Sequence, residues 1–281
     1  MHSFITLAIT FGVGIAAAFP IDLSPRSAWQ ANVGSSWQII LSDVVDASNT
    51  VSPNVGIFDV DLFDTDASTI SSLKNQGKKV ICYFSAGSYE PNRPDSSQFR
   101  QNDMGRTLDG WPDEKWLNLK STNVKNIMAK RVKLAAQKGC NGIDPDNMDG
   151  YGNNNGLGLQ ASDSVNFMKY LAGIAKSSNV AIGLKNSLEI IPSVVGVVQF
   201  AVNEQCHQYN ECGSYAPFTA AGKPVFNIEY PDSAPSVSVS QRRKLCGATG
   251  AAHLSTVMKT MDLNGWVQFC DASTAETATV S

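Results

Sequence analysis

The sequence predicts an α/β protein folded as a single (β/α)8 TIM barrel, on three observations. Short β-rich apolar runs recur along the chain, amphipathic helical stretches separate most of them, and acidic residues follow the runs at one end. In order, the runs are Trp37 to Leu41, Val55 to Val60, Lys79 to Phe84, Trp116 to Leu119, Gly142 to Asp144, Val180 to Leu184, Val197 to Val202 and Pro224 to Ile228. A ninth, Trp266 to Cys270, is left over. Between them, Asp64 and Thr65 are positioned to cap a helix carrying Ile70 and Leu73 and closed by Gly77. Val124, Ile127, Met128 and Val132 form a 3.6-residue stripe ended by Gly139, and Asp163 precedes Phe167, Leu171 and Ile174 in the same way. Strand and helix in alternation mean parallel strands with right-handed crossovers. The rival, an open doubly wound sheet, lacks any glycine-rich phosphate loop after a strand.

Composition narrows the function. Of 281 residues, 43% are hydrophobic and 17% charged, which excludes a disordered, collagenous or coiled-coil chain. With 22 Lys and Arg against 25 Asp and Glu there is no basic stripe to displace counterions from phosphate, so nucleic acid is not an expected partner. The apolar run Phe4 to Ala18, ending in three alanines, reads as a secretory signal peptide over 1–18. No later stretch is long enough to span a bilayer. One catalytic domain over 19–270 and a flexible Ser/Thr-rich tail over 271–281 are expected, as is a secreted, extracellular, monomeric protein free of the membrane once the leader is removed.

Six cysteines in such a chain imply disulfides, and six allow 15 pairings. Cys206 and Cys212 enclose a short polar segment and pair by proximity; Cys246 with Cys270 and Cys82 with Cys140 follow by elimination. The competing reading, Cys206, His207 and Cys212 as metal ligands, lacks the fourth ligand that zinc takes. No metal and no cofactor is expected.

In a barrel of this kind catalytic side chains sit immediately after apolar runs. Here they are Asp43, Asp59 and Asp61, Asp144 and Asp146, Glu204, and Glu229, joined by Tyr83, Ser85, Lys185 and Asn186. One such acid is ordinarily a helix cap; acids at five strand ends are not so easily absorbed. Alternation puts Asp144 and Asp146 on one side of the backbone around Pro145. Crowded like charges call either for a cation or for chemistry that needs one proton held and one absent. Calcium at Asp144, Asp146 and Asp149 fails the EF-hand spacing at Met148. Paired carboxylates without a nucleophilic Ser or Cys motif point to glycoside cleavage. Trp37, Trp111, Trp116, Tyr83, Tyr151 and Tyr230 are candidate faces for sugar rings. The residues alone do not choose between Asp144 and Asp146.

Taken together, Trp37-Gln38-Ile39, Phe58 to Asp64, Val80 to Gly87, Gly142 to Tyr151, Lys185-Asn186, Asn203 to Cys206 and Ile228-Glu229-Tyr230 resemble the corresponding stretches of glycoside hydrolase family 114, the fungal secreted endo-α-1,4-polygalactosaminidases. The resemblance implies a TIM barrel that cleaves α-1,4-linked galactosamine polymers, with the catalytic pair falling on Asp146 and Glu204. It makes Asp59, Asp61, Tyr83, Asp144, Asn186 and Tyr230 candidates for binding substrate. A cationic galactosamine-containing polysaccharide is the expected partner, since an acid-lined cleft attracts a polycation. Asp146 is expected as nucleophile and Glu204 as general acid and base, its proton kept by the surrounding negative field. A chitinase-like reading of Gly142 to Asp146 puts its acid on Met148, which has no proton to give. A metal-dependent deacetylase needs more histidines than the three present. A non-catalytic carbohydrate-binding barrel, or a glycosidase for another amino-sugar polymer, is the remaining alternative.

Overall fold

The computed structural model describes residues 28–247 and 253–280; the expected signal peptide over 1–18 lies outside them. Eight parallel strands follow one another in a single sheet: β1 (Trp37–Ile40), β2 (Ile57–Asp61), β3 (Lys79–Ser85), β4 (Gly142–Asp146), β5 (Ala181–Lys185), β6 (Phe200–Glu204), β7 (Val225–Glu229) and β8 (Ser255–Met258). The sheet then continues antiparallel into β9 (Trp266–Phe269) and β10 (Thr274–Glu276). It curls so that β1 comes against β8. Trp37 Nε1 donates to the Ser255 carbonyl at 2.8 Å, and Lys259 Nζ donates to Gln38 Oε1 at 3.0 Å. These side chains join β1 to the β8 end, because no ladder pairs the two among the described residues.

The chain is therefore an α/β fold with a curled ten-stranded sheet rather than a strict eightfold alternation. Six helices occur among the described residues: α1 (Ala67–Asn75), α2 (Thr122–Lys138), α3 (Ala161–Ser177), α4 (Ile191–Val194), α5 (Ala216–Ala220) and α6 (Val239–Cys246). None lies between β1 and β2, and β8 is followed by β9 instead. Among the described residues no helix is long and apolar enough to cross a membrane.

Four expectations are corrected. The run Trp116 to Leu119 is no member of the main sheet: Trp111–Leu117 pairs antiparallel with Met104–Leu108 and Ser88–Tyr89 in a small sheet inserted between β3 and α2. Trp116 earns its apolar neighbours by packing on Gly150, where an added Cβ would lie 3.0 Å from the indole. The eighth parallel strand is Ser255–Met258, whose Ser-Thr start hid it. The α1 cap is Asp66, which accepts from Thr69 N at 2.7 Å, not Asp64 or Thr65. Finally, the supposed tail is structured: residues 274–276 form β10, and Thr279–Val280 pairs with Val44–Val45.

Two apolar cores fix the architecture. The outer one buries Ile70 and Leu73 of α1, Val124, Ile127, Met128 and Val132 of α2, and Phe167, Met168 and Leu171 of α3 against the sheet. Each such side chain contributes roughly 1.5–3 kcal/mol by leaving water. The inner core joins Trp37, Ile39, Ile81, Phe200, Phe226 and Val257 from strands all round the sheet. Phe200 fits only because β5 presents Gly183 there; a Cβ on Gly183 would lie 2.2 Å from the ring. The amino-terminal half of the interior is thus filled with hydrocarbon, and inward-facing polar groups are left to the carboxyl ends of the strands. The disulfides Cys82–Cys140, Cys206–Cys212 and Cys246–Cys270 pair as expected.

Candidate active site

Three strands end the same way. β4 closes with Asp146, β5 with Lys185 and β6 with Glu204, and the next residue in each case, Asn147, Asn186 and Gln205, takes a left-handed backbone with φ of 59°, 47° and 60°. Such conformations are costly for most side chains, and Asn tolerates them best. The turns stop each strand at a charged residue whose side chain points inward. The end of β3 fixes the first of them, since Ala86 N and Gly87 N both donate to the Asp146 carbonyl, at 2.9 and 3.0 Å. Gly87 has no room for a Cβ, which would meet the Asn147 carbonyl.

Lys185 lies between the two acids. Its Nζ is 3.3 Å from Asp146 Oδ1 and 3.2 Å from Glu204 Oε2. Asp146 also accepts from Tyr83 Oη at 3.0 Å and from Asn147 N at 2.7 Å. Glu204 accepts from Tyr230 Oη at 2.6 Å and Asn186 Nδ2 at 3.0 Å, while its own N–H donates to Asn186 Oδ1. The Lys185 side chain is 3% exposed, whereas those of Asp146 and Glu204 remain open at 17% and 27%.

Electrostatics favours the carboxylate of Glu204. Burial opposes a charge on Glu204, but the Lys185 ammonium, then Tyr230 and Asn186, outweigh it and hold the carboxyl below its usual range. This corrects the expectation of a proton kept there by a negative field: its neighbours are a cation and two donors. Lys185 is pushed well above the ordinary lysine value despite burial, by Asp146 and Glu204 and more weakly Asp144. Burial, then Asp144, drives Asp59 well above the carboxylate range, and burial drives Asp144 up to about 7.

Of the expected binding residues, Tyr83, Asn186 and Tyr230 line the central cavity, and each also holds a catalytic candidate. Asp61 lines it too, but its oxygens are taken by Arg93, at 2.6 Å from Nη2 and 3.0 Å from Nη1. Asp59 and Asp144 do not reach the groove. Both are fully buried, and among the described residues neither oxygen has a hydrogen-bond partner, which removes them as substrate contacts. Glu229 accepts from His207 N and Asn227 and takes no part in the central cavity. The Cys206–Cys212 disulfide uses both sulfurs, so the metal reading has no thiolates to draw on. Arg93, on Asp61, is the side chain at this site that the sequence did not point to, and Lys185, a strand-end candidate there, was given no role between the two acids.

The cavity over the acid pair holds about 500 Å³ and continues in both directions. Through Glu90, Arg93, Trp111 and Glu114 it joins an arm of about 360 Å³ that also contains Asp64 and Asp113. Through Asp149, Asn186 and Glu204 it joins a second arm of about 440 Å³ containing Tyr151, Glu189, Tyr209 and Glu211. Trp111 in the first arm and Tyr209 in the second are unusually open for aromatics, 62% and 59% exposed. Among the charged residues lining the groove carboxylates far outnumber the cations, which are Arg93 and Lys185.

An open groove crossing two ionisable carboxyls at the carboxyl ends of parallel strands is the working surface of a glycoside hydrolase, and the chain is one. It belongs to glycoside-hydrolase family GH114, whose description matches residues 21–275. Aspergillus fumigatus Ega3, crystallised in complex with galactosamine, is 51% identical, covering 87% of this chain and 98% of that one with a TM-score of 0.83. The glycoside hydrolase domain of PelA from Pseudomonas aeruginosa shares the fold at 15% identity and a TM-score of 0.62, covering 82% and 96%. An α-galactosidase from Thermus thermophilus shares it more distantly, at 11% identity and a TM-score of 0.50 over 80% of this chain and 59% of that one. No curated protein matches the chain.

Proposed function

We propose that this chain is a secreted, monomeric, endo-acting hydrolase of α-1,4-linked galactosamine polymers, working through Asp146 and Glu204 on a barrel closed between its first and eighth parallel strands. The observation that carries the reading is the acid pair bridged by Lys185 at the middle of a groove open at both ends. Sugars can lie on either side of the scissile bond, which is what cleavage within a chain requires. Substrate identity draws support from the galactosamine bound to Ega3 and from charge. With burial holding Asp59 well above the carboxylate range, Asp146 and Glu204 still outnumber the one Lys185 they share, and a protonated amino sugar supplies a second positive charge beside them. The inner core contacts between β1 and the β8 end support barrel closure, and three disulfides support an oxidising, extracellular setting.

Spacing bears on stereochemistry. Asp146 Oδ1 and Glu204 Oε2 contact one nitrogen, so they can be no farther apart than 3.3 and 3.2 Å laid end to end. At a tetrahedral angle on that nitrogen they would stand about 5 Å apart, the separation of retaining enzymes and short of the roughly 6.5–9.5 Å that inversion needs. Asp146 is then the nucleophile and Glu204 the acid and base.

The direct test is incubation of purified protein with galactosamine polymer. Oligomers of intermediate length, formed with the α-configuration kept, are expected by chromatography and NMR. Binding without chain shortening would mean a carbohydrate-binding barrel instead. Trp111→Ala and Tyr209→Ala should each weaken binding of long oligomers by about 1–2 kcal/mol, the loss of one stacking face, while leaving turnover of the shortest cleavable oligomer nearly unchanged. Equal losses on short and long oligomers would remove these two aromatics from the outer subsites.

A further inference from the structure

The two carboxylates share one ammonium, and that ammonium has little freedom to leave. Lys185 projects from the end of β5, 3% exposed, with its Nζ 5.7 Å from the centre of the Tyr83 ring. Around it stand Asp59 of β2, Tyr83 of β3, Asp144 and Asp146 of β4, Glu204 of β6 and Tyr230 after β7. Of these, Asp146 and Glu204 alone are close enough to pair with it among the described residues.

We infer that Lys185 is a positioning residue for both half-reactions: it divides its charge between Asp146 and Glu204 in the free enzyme and gives it to Glu204 alone while Asp146 is esterified. The inference rests on the retaining reading above. In the first half-reaction Glu204 must first take up a proton, since Lys185, Tyr230 and Asn186 favour its carboxylate in the free enzyme; Asp146 then bonds to the anomeric carbon, the glycosidic C–O bond breaks, and the leaving oxygen takes that proton. Asp146 is now a neutral ester and Glu204 a carboxylate. In the second, Glu204 takes a proton from water, the water oxygen bonds to the anomeric carbon, and the ester bond breaks to return the Asp146 carboxylate.

Glu204 must therefore donate a proton when Asp146 is charged and accept one when Asp146 is neutral. The change of charge on Asp146 supplies that difference, and the fixed ammonium sets the level from which it works. While Asp146 is ionised, its negative charge opposes the effect of Lys185 on Glu204. Once the ester forms that opposition ends, and Lys185 favours the ionised base just when a base is needed. Replacing it with an uncharged side chain of similar length removes the second effect, and Glu204 beside the ester then tends to keep a proton.

Lys185→Met and Lys185→Arg are to be compared with wild type on a 2,4-dinitrophenyl glycoside of a galactosamine oligomer, a leaving group that needs little proton donation. In Lys185→Met, kcat should fall at least tenfold more than kcat/KM, with a glycosyl-enzyme accumulating in the mass spectrum, and Lys185→Arg should restore part of the loss. With natural polymer, the alkaline limb of kcat/KM in Lys185→Met should move up by about one to three pH units. Equal falls in kcat and kcat/KM with an unmoved limb would overturn the inference. Should Lys185→Met not fold, wild type carries the test: 13C NMR of labelled glutamate should show Glu204 titrating lower in enzyme trapped with 5-fluoro-α-galactosaminyl fluoride than in free enzyme. A trapped enzyme with Glu204 unchanged sinks the role of Lys185 alone. Inverted product and no trap sink the retaining reading instead.

Discussion

Glu204→Gln is expected to lower turnover of galactosamine polymer by about 10²–10⁴-fold, the usual range for a lost general acid–base, with the fold intact by circular dichroism. The same variant should recover much of its first step on a dinitrophenyl glycoside, because that leaving group departs without a proton. Asp146→Asn should lose activity on both substrates, since no leaving group substitutes for an absent nucleophile. Added azide separates the roles. It should yield the α-glycosyl azide with Glu204→Gln, by attack on the ester, and the β-azide with Asp146→Asn, by direct displacement. The opposite pairing of anomers would exchange the two assignments. Full activity in either variant would remove that residue from the mechanism.

The second large effect concerns stability and falls on Asp144. Its carboxyl is sealed in the interior without a hydrogen-bond partner, and burial raises it from 3.8 to about 7. Between those values the folded chain holds a proton that the unfolded chain has released, so stability falls as pH rises through that window. The total, reached above pH 7, is about 4 kcal/mol. Asp144→Asn does not titrate. Its amide carries a cost of about 1–3 kcal/mol for unmet hydrogen bonds, nearly independent of pH. Urea unfolding should therefore find the variant less stable than wild type near pH 4 and level with it or more stable near pH 8. Parallel stability curves for the two proteins across this range would show that Asp144 does not titrate as its surroundings dictate.

Much of this site was legible before any coordinates. Short apolar runs followed by acids marked Asp146 and Glu204 as strand ends, and the structure brings both to one ammonium. Depth was not legible. Alternation assigns Asp144 and Asp146 to the same face, yet one residue pair along the strand separates a sealed carboxyl from an open one, and period 2 carries no information about height. Nor did apolar density distinguish Trp116, packed on Gly150 in an inserted sheet, from a strand of the main one. Ser255–Met258 went unseen because its place is set by ladder bonds to β7, not by a hydrophobic run. Lys185 was noticed at a strand end, but a lysine there reads as solvated until its two partners are known to converge. A signal for it did exist. Asp146-Asn147, Lys185-Asn186 and Glu204-Gln205 each set an amide side chain directly after a charged one, and the left-handed turns fall on those amides.

The Phe200 ring lodged against Gly183 has a reach beyond packing. With hydrocarbon filling the far end of the interior, Asp146 and Glu204 meet solvent on the cavity side. On the proposed function, a polymer lying across them would cover that opening, so their proton exchange with bulk water is expected to slow while a chain is bound.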